Sequence, residues 1–241
     1  MQFKTIIGIV IVLLLIYAII ILILNRNVQT NLLPGIQSQI IPAKSLENSS
    51  IPHSPNRTYS IWAFIDNWNY RIGEQKYILV SGKIMSDGSI IEQSPAISLD
   101  KYENNLIVET TYNNSNSNSN SNNNLGVHKC SVTNIPIQKW VNILVSISGR
   151  TMDIYIDGKL VNTCLLPGVA TVTNNPIYIT PDGGFSGYTS KFAYYAYAST
   201  SEDAWNIYKE GAAQGWLASL LNTRVQITFS ENGIVENSIT V

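Results

Sequence analysis

Few groups in this 241-residue chain are suited to chemistry: two histidines, two cysteines and sixteen acidic side chains. A retaining glycosidase needs two carboxylates about 5 Å apart, one as nucleophile and one as acid/base. Glu92, Glu103, Glu109, Glu202 and Glu210 are scattered instead, and Glu202-Asp203 reads as the first turn of a helix. His53 falls among prolines and serines, and His128 stands alone beside Cys130, so neither a metal set nor a Ser-His-Asp arrangement is evident. The chain reads as non-enzymatic. Trp68 and Tyr70, in D-N-W-N-Y (66–70), are loop aromatics with two readings: a platform for a sugar ring, or partial burial under the loop. In an oxidising compartment Cys130 and Cys164 pair as one disulfide; the alternative is two buried thiols. Sequons at Asn48, Asn56 and Asn113 lie in expected stem or loop, open to glycosylation if the chain passes through the endoplasmic reticulum.

The elements that position these residues are mostly strands. Trp140 to Leu165 reads as a three-stranded meander. Val141, Ile143, Val145 and Ile147 alternate against Asn142, Ser146 and Ser148, then Met152, Ile154 and Ile156 against Thr151, Asp153 and Tyr155. Asp157-Gly158 supplies a two-residue turn with positive φ at both positions. The meander is expected at the centre of an antiparallel sheet. Further strands are expected over 58–65, 76–81, 96–99, 106–112, 127–132, 177–180 and 185–196. A C-terminal hairpin is expected from 224–230 and 234–241.

Ser199 to Gly211 is the one soluble helix. Ser199 and Glu202 fit a capping box, with Trp205 and Tyr208 turned to the core. The aromatics Tyr188, Phe192, Tyr194, Tyr195 and Tyr197 are read as packing between sheets. The Asn/Ser tract 113–124 has nothing apolar to bury and is expected to be a flexible hairpin extension.

Ile6 to Leu24 is a run of nineteen residues with no charge. As a helix it spans roughly 28 Å, one hydrocarbon core, and no small-x-small cleavage site follows it. It is expected to be an uncleaved transmembrane helix contacting lipid. The division follows: 1–26 anchor, 27–56 a Pro/Ser/Asn-rich stem acting as spacer, 57–212 the globular domain, and 213–241 a helical turn and hairpin packed on it. Net charge is −1 and only 13 % of residues are charged, so nothing marks a nucleic-acid partner.

Two stretches carry a resemblance: W-V-N-I-L-V-S (140–146) and I-Y-I-D-G-K-L-V (154–161). With Trp140, Asn142, Tyr155, Asp157, Gly158, Lys159 and Leu160, they resemble the laminin-G-like, concanavalin A-like family. N-I-P-I-Q-K-W (134–140), C-L-L-P-G-V (164–169), T-P-D-G-G-F-S-G-Y (180–188) and W-N-I-Y-K-E-G (205–211) are similar to membrane-anchored forms in nucleocytoplasmic large DNA viruses. The resemblance implies an all-β, two-sheet antiparallel jelly-roll sandwich with one short helix, behind the single N-terminal transmembrane helix. It implies a structural or adhesion protein of a virion membrane, with the C-terminal domain on the exterior or lumenal side and capsid proteins or glycans as partners. A cell-surface carbohydrate-binding module is the alternative. A glucanase is remote, because the E-x-D-x-E or E-x-D-x-x-E strand pattern of such enzymes is missing. No cofactor is expected. Calcium enters by analogy alone, with Asp66, Asp87, Asp100 and Asp182 as loop candidates.

Overall fold

The computed structural model describes Leu14 and residues 28–29, 32–43, 54–114, 125–212, 226–231 and 234–240. The strands are β1 (Val28–Gln29), β2 (Leu33–Pro34), β3 (Gln39–Ile41), β4 (Asn56–Asn67), β5 (Lys76–Ser81), β6 (Lys83–Ile84), β7 (Ile90–Ile91), β8 (Ala96–Leu99) and β9 (Asn105–Asn113). They continue as β10 (Leu125–Thr133), β11 (Trp140–Ser148), β12 (Thr151–Ile156), β13 (Lys159–Leu165), β14 (Ile177–Ile179), β15 (Ser186–Tyr195), β16 (Gln226–Glu231) and β17 (Ile234–Thr240). Helix α1 (Ser201–Lys209) lies between β15 and β16.

Two antiparallel sheets face each other. One runs β1-β15-β4-β11-β12-β13, with β2 also on β15; the other runs β10-β9-β8-β5-β14-β3. Alternation decides the faces. Tyr59, Ile61, Ala63 and Ile65 of β4 and Val141, Ile143, Val145 and Ile147 of β11 enter the core between the sheets, where they meet Ile78, Ile97, Leu99, Leu106 and Val108. Leu144 and Tyr155 point outward and are covered by Ala204 and Ile207 of α1.

The strand expectations hold closely, with four differences. The meander runs from the sheet centre to its edge, so β4 and β11 are the middle and β13 is an edge strand. The helix is capped by Thr200 with Asp203, not Ser199 with Glu202. Ser199 is buried, and its N–H is taken by Thr58 Oγ1 (2.9 Å) and Ser146 Oγ (3.0 Å), so it pins the helix to the sheet. Trp205 does not point to the core: it is 44 % exposed, and the buried helix positions are Ala204 and Ile207. Finally, part of the expected stem is sandwich. β1 and β2 pair with β15, and β3 pairs with β14, so residues 28–41 close one side of both sheets. Ile41 is a core residue.

The disulfide closes the other side. Cys130 of β10 and Cys164 of β13 are bonded, Cα to Cα 6.5 Å, joining the free edges of the two sheets. Asn162 Nδ2 also donates to the Ser131 carbonyl across this seam, 3.0 Å.

The aromatic group expected as packing divides. Phe192 and Tyr194 are core, Tyr195 lies against the α1 cluster, and Tyr188 and Tyr197 are exposed. The expected C-terminal hairpin is present as β16 paired with β17. The strands flanking the Asn/Ser tract pair from Asn113↔Leu125 onward. Residues 115–124, the C-terminal helical turn expected at 216–221 and, apart from Leu14, the apolar run 6–24 lie outside the described residues. Among the described residues no helix is long and apolar enough to cross a membrane.

Candidate functional site

The hairpin motif is explained by structure. Asn142 is fully buried and donates through Nδ2 to Ser60 Oγ, 3.0 Å. Its backbone N–H donates to Asp157 Oδ1 and its carbonyl accepts from the Asp157 N–H, both at 2.9 Å. Asp157 (φ 51°) and Gly158 (φ 72°) form the expected turn. A Cβ on Gly158 would stand about 3 Å from Trp205 and Tyr208, so the helix presses on this turn. These residues hold the scaffold.

Functional contact is better sought at the loops. β4 ends where loops 66–75, 100–104 and 181–184 gather at one end of the sandwich, an arrangement fixed by the pairings Ser186↔Asn67 and Lys76↔Leu99. Arg71 clamps this end. Its Nε donates to Glu74 Oε2 at 2.6 Å, its Nη1 to the Asp182 carbonyl, and its Nη2 lies 3.5 Å from Asp182 Oδ2. Burial works against the guanidinium charge, but the hydrogen bond to Glu74 and the charges of Asp182 and Glu74 more than offset it and hold the pKa above its ordinary value. The Tyr70 hydroxyl donates to the Gly183 carbonyl, 3.1 Å. Gly184 at the base of this turn has φ 48°, and a Cβ there would lie 2.0 Å from the Gly35 carbonyl oxygen, so no other residue fits. Tyr102 (69 % exposed) and Ile72 (59 %) stand out from the braced loops.

Trp68 is half-buried against the core, and the Lys76 ammonium sits 5.1 Å from the centre of its ring. One face of the indole is therefore covered. Among the described residues neither Lys76 Nζ nor Trp68 Nε1 has a hydrogen-bond partner. Burial pushes the Lys76 amine down, and Asp100 partly restores it. Of the expected contact pair, Tyr70 thus sits on the rim and Trp68 beneath it. Tyr102, Arg71 and Lys76 were not singled out by sequence. Tyr102 follows Asp100-Lys101 in an ordinary turn, and only the assembled loops show its prominence.

Among the described residues the candidate carboxylates do not converge. Asp100 accepts from the backbone N–H of Tyr102 and Glu103, which hold its pKa below the usual range. Asp87 caps the β6–β7 turn through Ser89, at a separate hairpin. Asp182 faces Arg71, and Asp66 is exposed. Among the described residues no three of these carboxylates come together. Glu92 accepts from Asn175, Glu103 from Asn105 and Glu210 from Lys191. Glu109 lies in β9 opposite Lys129, and Glu202 is exposed in the first turn of α1. His128, Cys130 and Cys164 bring their ligand atoms within 4.8 Å, but both sulfurs are spent in the disulfide. Asn56 and Asn113 are exposed at the opposite end from the loop rim, Asn56 accepting from Ser148 Oγ; Asn48 and His53 lie outside the described residues. Two cavities, one lined by Arg57, Tyr59 and Tyr194 and the other by Leu33, Ile61 and Phe192, measure about 10 Å³ each, room for one water.

The receptor-binding domain of botulinum neurotoxin D is similar in structure, with a TM-score of 0.55 and 14 % identity over 76 % of this chain and 46 % of that one. The binding domain of botulinum neurotoxin DC, solved in complex with rat synaptotagmin II, gives 0.52 and 17 % over 76 % and 45 %. A structure of botulinum neurotoxin type C, whose cell entry depends on interaction with two ganglioside molecules, gives 0.51 and 18 % over 76 % and 44 %. The chain spans less than half the length of these domains, and the likeness shows the fold. No curated protein matches. A family model described as the concanavalin A-like lectin/glucanases superfamily matches residues 41–204. Matched over more than half its length, and with the two-sheet sandwich in place, the chain belongs to the concanavalin A-like lectin/glucanase superfamily.

Proposed function

We propose that this chain is a non-catalytic recognition protein, held at a membrane by residues 6–24, that contacts a glycan or protein surface through the loop end of its sandwich. The observation that carries the reading is the rim itself: exposed Ile72 on a loop that Arg71 ties to Glu74 and Asp182, and exposed Tyr102 on the neighbouring loop, joined to it by the Gly73 N–H donating to the Lys101 carbonyl, 3.0 Å. Binding residues are disproportionately on loops positioned by a rigid scaffold, and Tyr is enriched among contact hot spots. The separated carboxylates favour surface contact over turnover. Similar domains in complex with synaptotagmin or tied to gangliosides support the class of role. The sequence resemblance to membrane-anchored viral forms extends the reading to a virion membrane with capsid or host partners, and the disulfide favours a domain facing an oxidising side.

The test is binding of the full chain in detergent micelles to a glycan array and to host-cell surface proteins. Tyr102→Ala should weaken a specific interaction roughly tenfold or more, the effect of losing a contact hot spot, with the melting temperature unchanged. Binding that survives both Tyr102→Ala and Arg71→Ala would remove the rim as the contact surface. Hydrolysis of β-glucans by the purified chain would overturn the non-catalytic reading. Intact mass before and after reduction tests the compartment: a disulfide with unmodified sequons fits virion assembly, and N-glycans at Asn56 or Asn113 place the chain in the secretory pathway.

A further inference from the structure

We infer that the side of the sandwich closed by residues 28–41 lies on the lipid bilayer, with Leu32, Ile36 and Ile40 entering the interfacial layer. The inference rests on the reading of residues 6–24 as a membrane anchor. A stem would hold the domain away from the membrane, but here the chain enters the sheet almost at once. The apolar run ends at Leu24, and Val28 already pairs with Ala193 of β15. Four residue steps reach at most about 14 Å. The edge formed by β1 and β15 is therefore tethered within about 14 Å of the hydrocarbon boundary, close enough to reach the headgroup layer.

The chemistry of that edge agrees. Leu33 and Ile41 turn inward, while Leu32, Ile36 and Ile40 turn outward, exposed by 61, 59 and 60 %. Residues 27–43 contain no charged side chain, so this segment brings no ionic desolvation penalty of its own on approaching lipid. Tyr188, opposite Pro34 in register and exposed, suits the water–lipid boundary. The nearby Lys191 ammonium is paired with Glu210 at 2.8 Å. The opposite edge, β13, also exposes apolar groups, including Leu160. It lies five strand spacings away, roughly 24 Å, and serves as the comparison.

Both native cysteines are in the disulfide, so a maleimide dye reports on a single added cysteine. Full-length Ile36→Cys, Ile40→Cys and Leu160→Cys are labelled with bimane and reconstituted into phosphatidylcholine vesicles with plain or brominated acyl chains. Flotation through a density gradient is scored in parallel. All three should float. Bromolipid should quench the labels at 36 and 40 roughly twofold or more, because an interfacial group lies 5–10 Å into the headgroup boundary, and leave the label at 160 unquenched. Chains that float with 36 and 40 quenched no more than 160 overturn the inference and leave the anchor standing. Chains that fail to float overturn the anchor, and the inference with it.

Discussion

Lys76 begins β5 with 1 % of its surface exposed, its ammonium over the Trp68 ring and without a hydrogen-bond partner among the described residues. A desolvated cation–π contact contributes about 2 kcal/mol, while an unpaired buried charge costs several. Removing the charge and keeping the volume should therefore help: Lys76→Met is expected to stabilise the fold by about 1–2 kcal/mol at pH 7. The pH dependence carries the sign. Burial lowers the folded pKa, so between that value and the ordinary lysine value the unfolded chain binds more protons, and stability rises with pH. Tyr194 and Tyr195, pushed up to about 12 by burial, act oppositely at high pH, but both proteins carry them. The gap between Lys76→Met and the parent in urea melts should shrink as pH rises toward the lysine range. A gap that widens or stays flat would mean that Lys76 is not buried as a strained cation. The sequence K-Y-I-L-V-S shows a strand with a lysine at its start, a position usually open to water. Only the folding-back of Trp68 makes it an interior group.

Helix α1 and the edge strands show how elements are tied down. Ser199 and Thr200 are each followed three residues later by an acid, so both satisfy the capping pattern. Thr58 and Ser146 decide between them by taking the Ser199 N–H, which is information from other strands. Asp203 returns the cap by accepting from the Thr200 backbone N–H at 2.9 Å, the main cause of its lowered pKa, and from the Thr200 hydroxyl at 2.8 Å. A depressed carboxylate stabilises above its unfolded pKa and loses that contribution as pH falls through the folded value. Asp203→Asn should therefore melt below the parent at pH 7 and converge with it in acid, and Thr200→Ala should lose about 1 kcal/mol. Equal melting at pH 7 would remove the cap from the account. The disulfide acts between edges instead. By chain entropy, closing a 34-residue separation contributes about 3–4 kcal/mol, so Cys130→Ser with Cys164→Ser should lower the urea midpoint accordingly. β10 and β13 alternate legibly in sequence; that they are the free edges of two different sheets is a property of topology.

At the scale of the molecule, the sandwich is closed on one side by a covalent bond and on the other by its own N-terminal segment. The long strands β4, β11, β12 and β15 were legible because alternation over six or more residues fixes both type and face. Of the rim, the sequence offered Tyr70 and Trp68 as loop aromatics, but exposure there is set by how three distant loops stack. The segment L-L-P-G-I-Q-S-Q-I-I-P (32–42) was illegible for a similar reason. Its strands are two and three residues long, broken by Pro34-Gly35, and take their register from β14 and β15. Its role can be tested by truncation. A chain starting at Ser54 keeps the stretch read from sequence as the domain, but it loses Ile41 from the core, Leu33 against it, and the partners of β14 and β15. Burial of one isoleucine alone is worth about 1.5–3 kcal/mol. Residues 54–241 should therefore unfold at lower urea than residues 28–241 by at least about 3 kcal/mol once strand pairing is included. They should also be cut faster by protease near β14. Two fragments of equal stability would show that residues 28–41 lie on the sandwich without supporting it, and the boundary at residue 57 would stand.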